Sequence, residues 1–269
     1  MSLFNFNAEE LMSFFAVLIR MSTLIVVLPF FGDKVVPASL KILLSFAISI
    51  CVFPALVAQG LIHPGAAAAW SQTTGGLIGT IAVEAAFGLA IGYAAKLTFD
   101  GLHMGADIIG TMMGLGSASQ YDPFMETQTQ VVSQFQMALA TLLFLVLDGH
   151  HVILEAMVNS YRIVGIGDAH MFSAGLSERL IAVSGDCLKT ALQVAAPMVV
   201  TSFGINIIYA ILAKALPQMN ILVISFSISA VVGLFIMFLS LGQFHDVASG
   251  AFSKLETNLS DVMHGIAGK

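Results

Sequence analysis

Residues Leu11 to Phe31 read LMSFFAVLIRMSTLIVVLPFF, and this stretch decides the class of fold. It is as long as a helix needs to be to cross the hydrocarbon core of a bilayer, about 17–25 residues, and its one charge, Arg20, stands inside it. Five more apolar runs of similar length follow, at Leu40 to Ala58, Leu77 to Phe99, Val131 to Leu147, Leu192 to Leu216 and Ile221 to Leu241. The whole chain is 58% hydrophobic and 10% charged, with a mean hydropathy of +0.93. Soluble domains hold roughly 25% charged residues. The expectation is an all-α, polytopic membrane protein built from helical hairpins, a single domain over residues 1–269 with no separate soluble part.

Breakers mark the joints between runs: Pro29, Gly32 and Pro37, then Gly60 and Pro64, Gly75 and Gly76, Asp122 and Pro123, Asp148 and Gly149, and Pro217 with Asn220. The linker Ala58 to Gly76 is nearly free of charge. The linker Asp148 to Lys189 mixes Asn, Ser, Gly and charges and predicts one or two amphipathic helices. The start, MSLFNFNAEE, carries Glu9 and Glu10 where a cleavable signal would carry positive charge, so the first helix is expected to be retained. Alternating the loops divides Lys and Arg almost evenly between the two sides, and the positive-inside rule sets no orientation.

The stretch Gly101 to Pro123, GLHMGADIIGTMMGLGSASQYDP, is unlike the runs around it. Its glycines remove side chains where backbones approach or bend, and Met104, Met112 and Met113 supply deformable apolar bulk. Such a segment suits lining or closing a path through packed helices. Non-helical backbone at membrane depth must be buried in protein or face a water-filled cavity, so this stretch is expected inside an assembly, away from lipid.

Charges within apolar runs cost about 2.5–3.5 kcal/mol on insertion scales and face protein or water. Arg20, Glu84, Asn206 and Lys214 are the polar residues so placed. For Arg20 the leading reading is an internal pair with Glu84 or another acidic neighbour; an ion path and a contact with another subunit are the alternatives. Gly88 and Gly92 recur four apart after Glu84, a small-residue surface for close helix crossing. Lys214, Pro217, Gln218 and Asn220 lie in KALPQMN, a polar tip between two apolar helices. It fits a solvated turn or a tip that meets another polar tip.

The composition excludes several classes. A net charge of -6 and ten scattered Lys and Arg make nucleic acid an unsuitable partner. Cys51 and Cys187 are too few for a disulfide framework or zinc site, and buried thiols are expected. Gly116-Ser117-Ala118 offers a serine with no histidine pattern to serve as its base. Asp148, His150, His151 and Glu155 form a small cluster, but no second histidine recurs at helical spacing, and a helix-start cap by Asp148 with imidazoles at an interface is simpler. No phosphate-cradling loop is present. The expectation is a protein that is no enzyme and holds neither metal nor cofactor.

Several motifs together resemble one family: Arg20 with Pro29-Phe30-Phe31-Gly32 and Pro37, Glu84 with Gly88 and Gly92, MGLGSASQYDP from Met113, LDGHH from Leu147, Ala196-Pro197, and Pro217-Gln218-Met219-Asn220. In this order they resemble the FliR/SctT family of type III secretion export-gate proteins over nearly the whole chain. The resemblance implies a FliP-like part over residues 1–190 fused to a FliQ-like hairpin over 191–245, followed by a tail, 246–269. It implies a bacterial inner-membrane complex at the flagellar basal body with FliP and FliQ homologues, FlhB and FlhA homologues nearby, lipid around it, and unfolded proteins as cargo. It places a plug in segment 106–123, on Gly110, Met112, Met113, Gly114, Leu115, Gly116, Ala118, Tyr121, Asp122 and Pro123. It gives Arg20, Glu84, Gly88, Gly92, Asp148 and His150 buried or packing roles, and the hairpin tip at Lys214, Pro217, Gln218 and Asn220 contacts with neighbouring subunits. A proton-coupled secondary transporter with Arg20 and Glu84 at a midplane site is the rival reading. Its hallmark, an internal repeat, is not evident between the two halves.

Overall fold

A computed structural model describes residues 7–28, 36–114, 130–167, 174–218 and 221–267, and every regular element among them is a helix. In chain order these are α1 (Ala8–Val27), α2 (Ala38–Ala58), a 3-10 turn (Pro64–Ala67), α3 (Ala68–Ser71), α4 (Thr74–Met112), α5 (Gln130–Val146), α6 (Gly149–Ile163), α7 (Ala174–Ala215), α8 (Ile221–Leu239), α9 (Leu241–Ser253) and α10 (Leu255–Ala267). Helices α1, α2, α4 and α7 are long and apolar enough to cross a membrane; the number rises to six if α5 with α6, and α8 with the helices after it, each count as one broken span. The all-α, polytopic expectation therefore stands.

The chain divides into two compact units, one of Met1–Leu97, His150–Ser184 and Leu255–Lys269, the other of Thr98–Gly149 and Gly185–Lys254. In the first unit, α1 starts at Asn7, with Glu9 and Glu10 in its first turn, where the positive helix end favours carboxylates. Its buried face, Ser13, Ala16, Val17, Arg20, Met21, Leu24 and Ile25, follows the helical repeat. Helix α2 buries only Ser45, Ser49, Phe53 and Leu56. Phe14 of α1 meets Phe46 and Phe53 edge-on, with ring centroids 5.9 and 5.6 Å apart. Cys51, expected to be buried, faces outward because α2 presents one narrow face to the unit, whereas Cys187 is buried. The linker Asp148 to Lys189 holds α6 and the start of α7. Helix α10 buries Leu255, Leu259, Val262, Met263 and Ile266, and its Asp261 pairs with Arg179 of α7 at 3.5 Å.

The second unit has an aromatic centre. Phe99 of α4, Phe144 of α5 and Phe252 of α9 lie with centroids 5.1 to 5.3 Å apart. Along α4, Gly101 and Gly105 face α7 so closely that a Cβ at Gly101 would stand 2.8 Å from Cys187 O, and one at Gly105 2.7 Å from Val194 Cβ and 2.9 Å from Ala191 O. This corrects the sequence reading. The Gly- and Met-rich stretch is not irregular from Gly101 onward; α4 continues through Met112, because its first two glycines form a helix–helix seam.

Within α7, Pro197 has no N–H to offer the carbonyl of Gln193. That carbonyl accepts a hydrogen bond from Gln243 Nε2 of α9 at 2.8 Å, so the proline costs no unsatisfied backbone group. Tyr209 Oη of α7 donates to Ser225 O of α8 at 3.1 Å, which joins the two long helices of the C-terminal hairpin.

The seam can be tested by adding one methyl group. Gly105→Ala is expected to destabilise the protein by about 1–3 kcal/mol, as overpacking does, whereas Gly185→Ala, on α7 with open space around it, should be neutral or slightly stabilising. Thermal unfolding of the two variants in detergent decides the matter, and equal midpoints would contradict the seam.

Candidate functional site

Arg20 occupies the centre of the first unit and is fully enclosed, as is Glu84 of α4. A lone guanidinium there would be costly, and its surroundings supply what water would. Nε donates to Glu84 Oε2 at 2.6 Å and Nη2 to Glu84 Oε1 at 3.1 Å, a two-pronged pair that Lys could not make. Nη1 donates to Ser160 Oγ of α6 at 2.9 Å, and that hydroxyl in turn donates a hydrogen bond to Met157 O at 2.6 Å. The plane of the cation lies against two rings, 3.9 Å from the Tyr161 centroid and 4.6 Å from that of Phe87. Glu84 Oε1 accepts a further bond from the Gly167 N–H at 3.3 Å. Gly167 turns at φ +77°, and a Cβ there would crowd Thr80 and Trp70.

The approach of α1 to α4 depends on the two glycines after Glu84. A Cβ at Gly88 would overlap Thr23 Oγ1 and Arg20 O, and one at Gly92 would lie 3.1 Å from Val27 Cβ and 3.2 Å from Leu24 O. Ser160, Tyr161, Phe87 and Gly167 are partners that the sequence reading missed. A signal for two of them existed, since Ile153, Ala156, Met157, Ser160 and Tyr161 share the buried face of α6 at helical spacing.

In the second unit, the expected plug begins at the end of α4. Gly110 is buried, Met112 is exposed and Met113 is buried. Gly114 takes φ +77° and donates to Thr111 O at 3.0 Å, a left-handed helix stop that suits glycine. Leu115, Gly116, Ala118, Tyr121, Asp122 and Pro123 lie outside the described residues, as do Pro29 to Gly32 and Asn220. On the flanks of that segment, Asp107 of α4 accepts a hydrogen bond from Ser133 of α5 and pairs with His103 at 3.1 Å.

Asp148 is exposed rather than buried, at φ +53° in the turn after α5. His150 is partly buried and stacks on His151 at 4.1 Å. Lys214 lies in the last turn of α7, and Pro217 and Gln218 form an exposed turn. These residues do not join the Arg20 cluster.

The fold and the enclosed charge cluster define a multi-helix membrane protein in which a buried Arg20–Glu84 pair joins α1 to α4. The chain belongs to the bacterial export proteins, family 1, whose model matches residues 11–255. Among its relatives are proteins named flagellar biosynthetic protein FliR. That of Caulobacter vibrioides is 29% identical over 82% of this chain and 85% of its own length. That of Pectobacterium carotovorum is 28% identical over 96% and 97%, and that of Escherichia coli 25% over 93% and 92%.

Two substitutions separate the contributions to the cluster. Arg20→Met leaves the Glu84 carboxylate buried without its partner and is expected to cost about 3–5 kcal/mol. Tyr161→Phe keeps the ring over the guanidinium and removes a buried hydroxyl that has no hydrogen-bond partner among the described residues, so it should change stability by less than about 0.5 kcal/mol. Denaturation of the purified variants in detergent measures both, and a tolerated Arg20→Met would contradict the assignment.

Proposed function

We propose that this chain is the FliR-type subunit of a flagellar protein-export gate in the bacterial inner membrane at the basal body. With FliP and FliQ homologues it forms the pore through which unfolded proteins leave the cell, next to FlhB and FlhA homologues. The observation that carries this reading is collinearity with proteins named flagellar biosynthetic protein FliR from end to end, including 97% of the Pectobacterium carotovorum protein. Residues 1–190 correspond to the FliP-like part, 191–245 to the FliQ-like hairpin and 246–269 to the tail.

Physical features support it. Helices α7 and α8 carry rows of exposed apolar side chains, among them Leu192, Val200, Phe203, Ile211, Val231, Phe235 and Phe238. Such faces are covered by lipid or by neighbouring helices, which fits a hairpin packed in an assembly. The expected tip contacts of Lys214, Pro217, Gln218 and Asn220 belong to that hairpin. Segment 106–123 acts as the plug: its helical part, ending at Met112, roots it, and the residues beyond Gly114 close the path. The chain does no chemistry, and energy comes from other components. Arg20 and Glu84 bind each other with no exposed surface, which favours a structural role over a carrier's substrate site.

Deleting residues 115–119, beyond the packed end of α4, should leave copurification with FliP and FliQ homologues intact and raise ion conductance of the purified complex in planar bilayers. Removing the whole gene should abolish motility and filament-protein secretion. Unchanged conductance would reject the plug; secretion without the gene would reject the export role.

A further inference from the structure

Helices α6 and α10 of the first unit leave a cleft of about 130 Å³ between them. Its apolar part is formed by Val152, Ala156 and Ile163 of α6 and Met263 of α10, with Ala156 and Met263 buried. Four polar side chains complete it: Glu155 and Asn159 from α6, Glu256 and Ser260 from α10. The glutamates are exposed at the rim, and Asn159 and Ser260 are half-buried. No Lys or Arg lines the cleft, and among the described residues none of these four side chains has a hydrogen-bond or ion-pair partner.

The charges around the cleft are engaged elsewhere. Asp261, the residue after Ser260, pairs with Arg179 at 3.5 Å, and Arg162 in the last turn of α6 donates to Gln59 Oε1 at 3.3 Å. Two anions therefore meet at one small cavity with no cation between them, and they repel. The space is that of one side chain, since an apolar cavity of about 150 Å³ takes up a single benzene. What suits it is apolar along its length and positive at its tip. Lysine has this form: its stem lies on apolar surface, and its ammonium carries three donors and no acceptor. The flat fork of arginine matches the two oxygens of a single carboxylate, as at Arg20 and Glu84, whereas the acceptors here come from two helices. A bare metal ion would leave the apolar wall uncovered.

We infer that the cleft between α6 and α10 is a socket for a lysine side chain of a neighbouring subunit. This rests on the reading of the chain as one member of an assembly. The stem covers Val152, Ile163 and Met263, and the ammonium is shared by the two glutamates, with Asn159 Oδ1 and Ser260 Oγ as further acceptors. Both walls are set before the lysine arrives: α6 is tied by Ser160 to Arg20, and α10 by Asp261 to Arg179. A socket fixed in advance spends little binding energy on ordering itself.

The test is carbodiimide coupling, which joins a carboxylate to an amine in contact with it, on the complex extracted from native membranes, in the presence of taurine as a soluble amine. Mass spectrometry reads what Glu155 and Glu256 have joined. A link from either glutamate to a lysine of another subunit is expected. Ser260→Phe, which fills the cleft and leaves both carboxylates in place, should lower the yield of that link by about tenfold, as blocking the pocket of a central contact does; if this variant fails to fold, Val152→Phe makes the same test from α6. Taurine on both glutamates, a link only to a lysine of this same chain, or a yield unchanged by the filled cleft overturns the socket. Any of these in a chain that still copurifies with FliP and FliQ homologues leaves the subunit reading standing, whereas a chain extracted alone overturns both.

Discussion

Arg20 reaches Glu84 only because Gly88 and Gly92 remove the side chains that would hold α1 and α4 apart. Helices in a bilayer gain little from hiding apolar surface, since lipid is as apolar as leucine, and close contact with satisfied polar groups must hold them instead. The first unit applies both devices at one crossing. Helix backbones touch where glycine allows it, and a charge pair that would be prohibitively costly alone is closed by Ser160, Gly167 and two aromatic rings. The pair specifies which face of α1 meets α4 and where α6 lies against them. Its enclosure leaves no room for a passing ion or substrate.

The second unit also uses glycine, here together with a ring cluster. Gly101 and Gly105 bring α4 onto α7, the Phe99, Phe144 and Phe252 rings fill the space between α4, α5 and α9, and Gln243 satisfies the carbonyl freed by Pro197. The result is a rigid mount for the end of α4.

Much of this was legible in the chain. Apolar runs bounded by Gly, Pro and Asp gave the helices, since length and hydropathy act locally. Arg20 and Glu84 stood out because a charge in such a run must find a partner. The extent of α4 was misread because glycine in sequence looks the same whether it breaks a helix or lets one approach another; only the position of α7 distinguishes them. Cys51 looked buried because its neighbours are apolar, yet α2 is covered on one side alone. The residues from Leu115 to Pro123 stayed a matter of family resemblance, and their place in the assembly rests on that resemblance.

Cryo-electron microscopy of the complex extracted from native membranes tests the central claim most directly. The account predicts this chain surrounded by FliP- and FliQ-type subunits, with the backbone after Gly114 enclosed in the lumen they form. A chain found alone, or with that backbone turned outward to detergent, would contradict it.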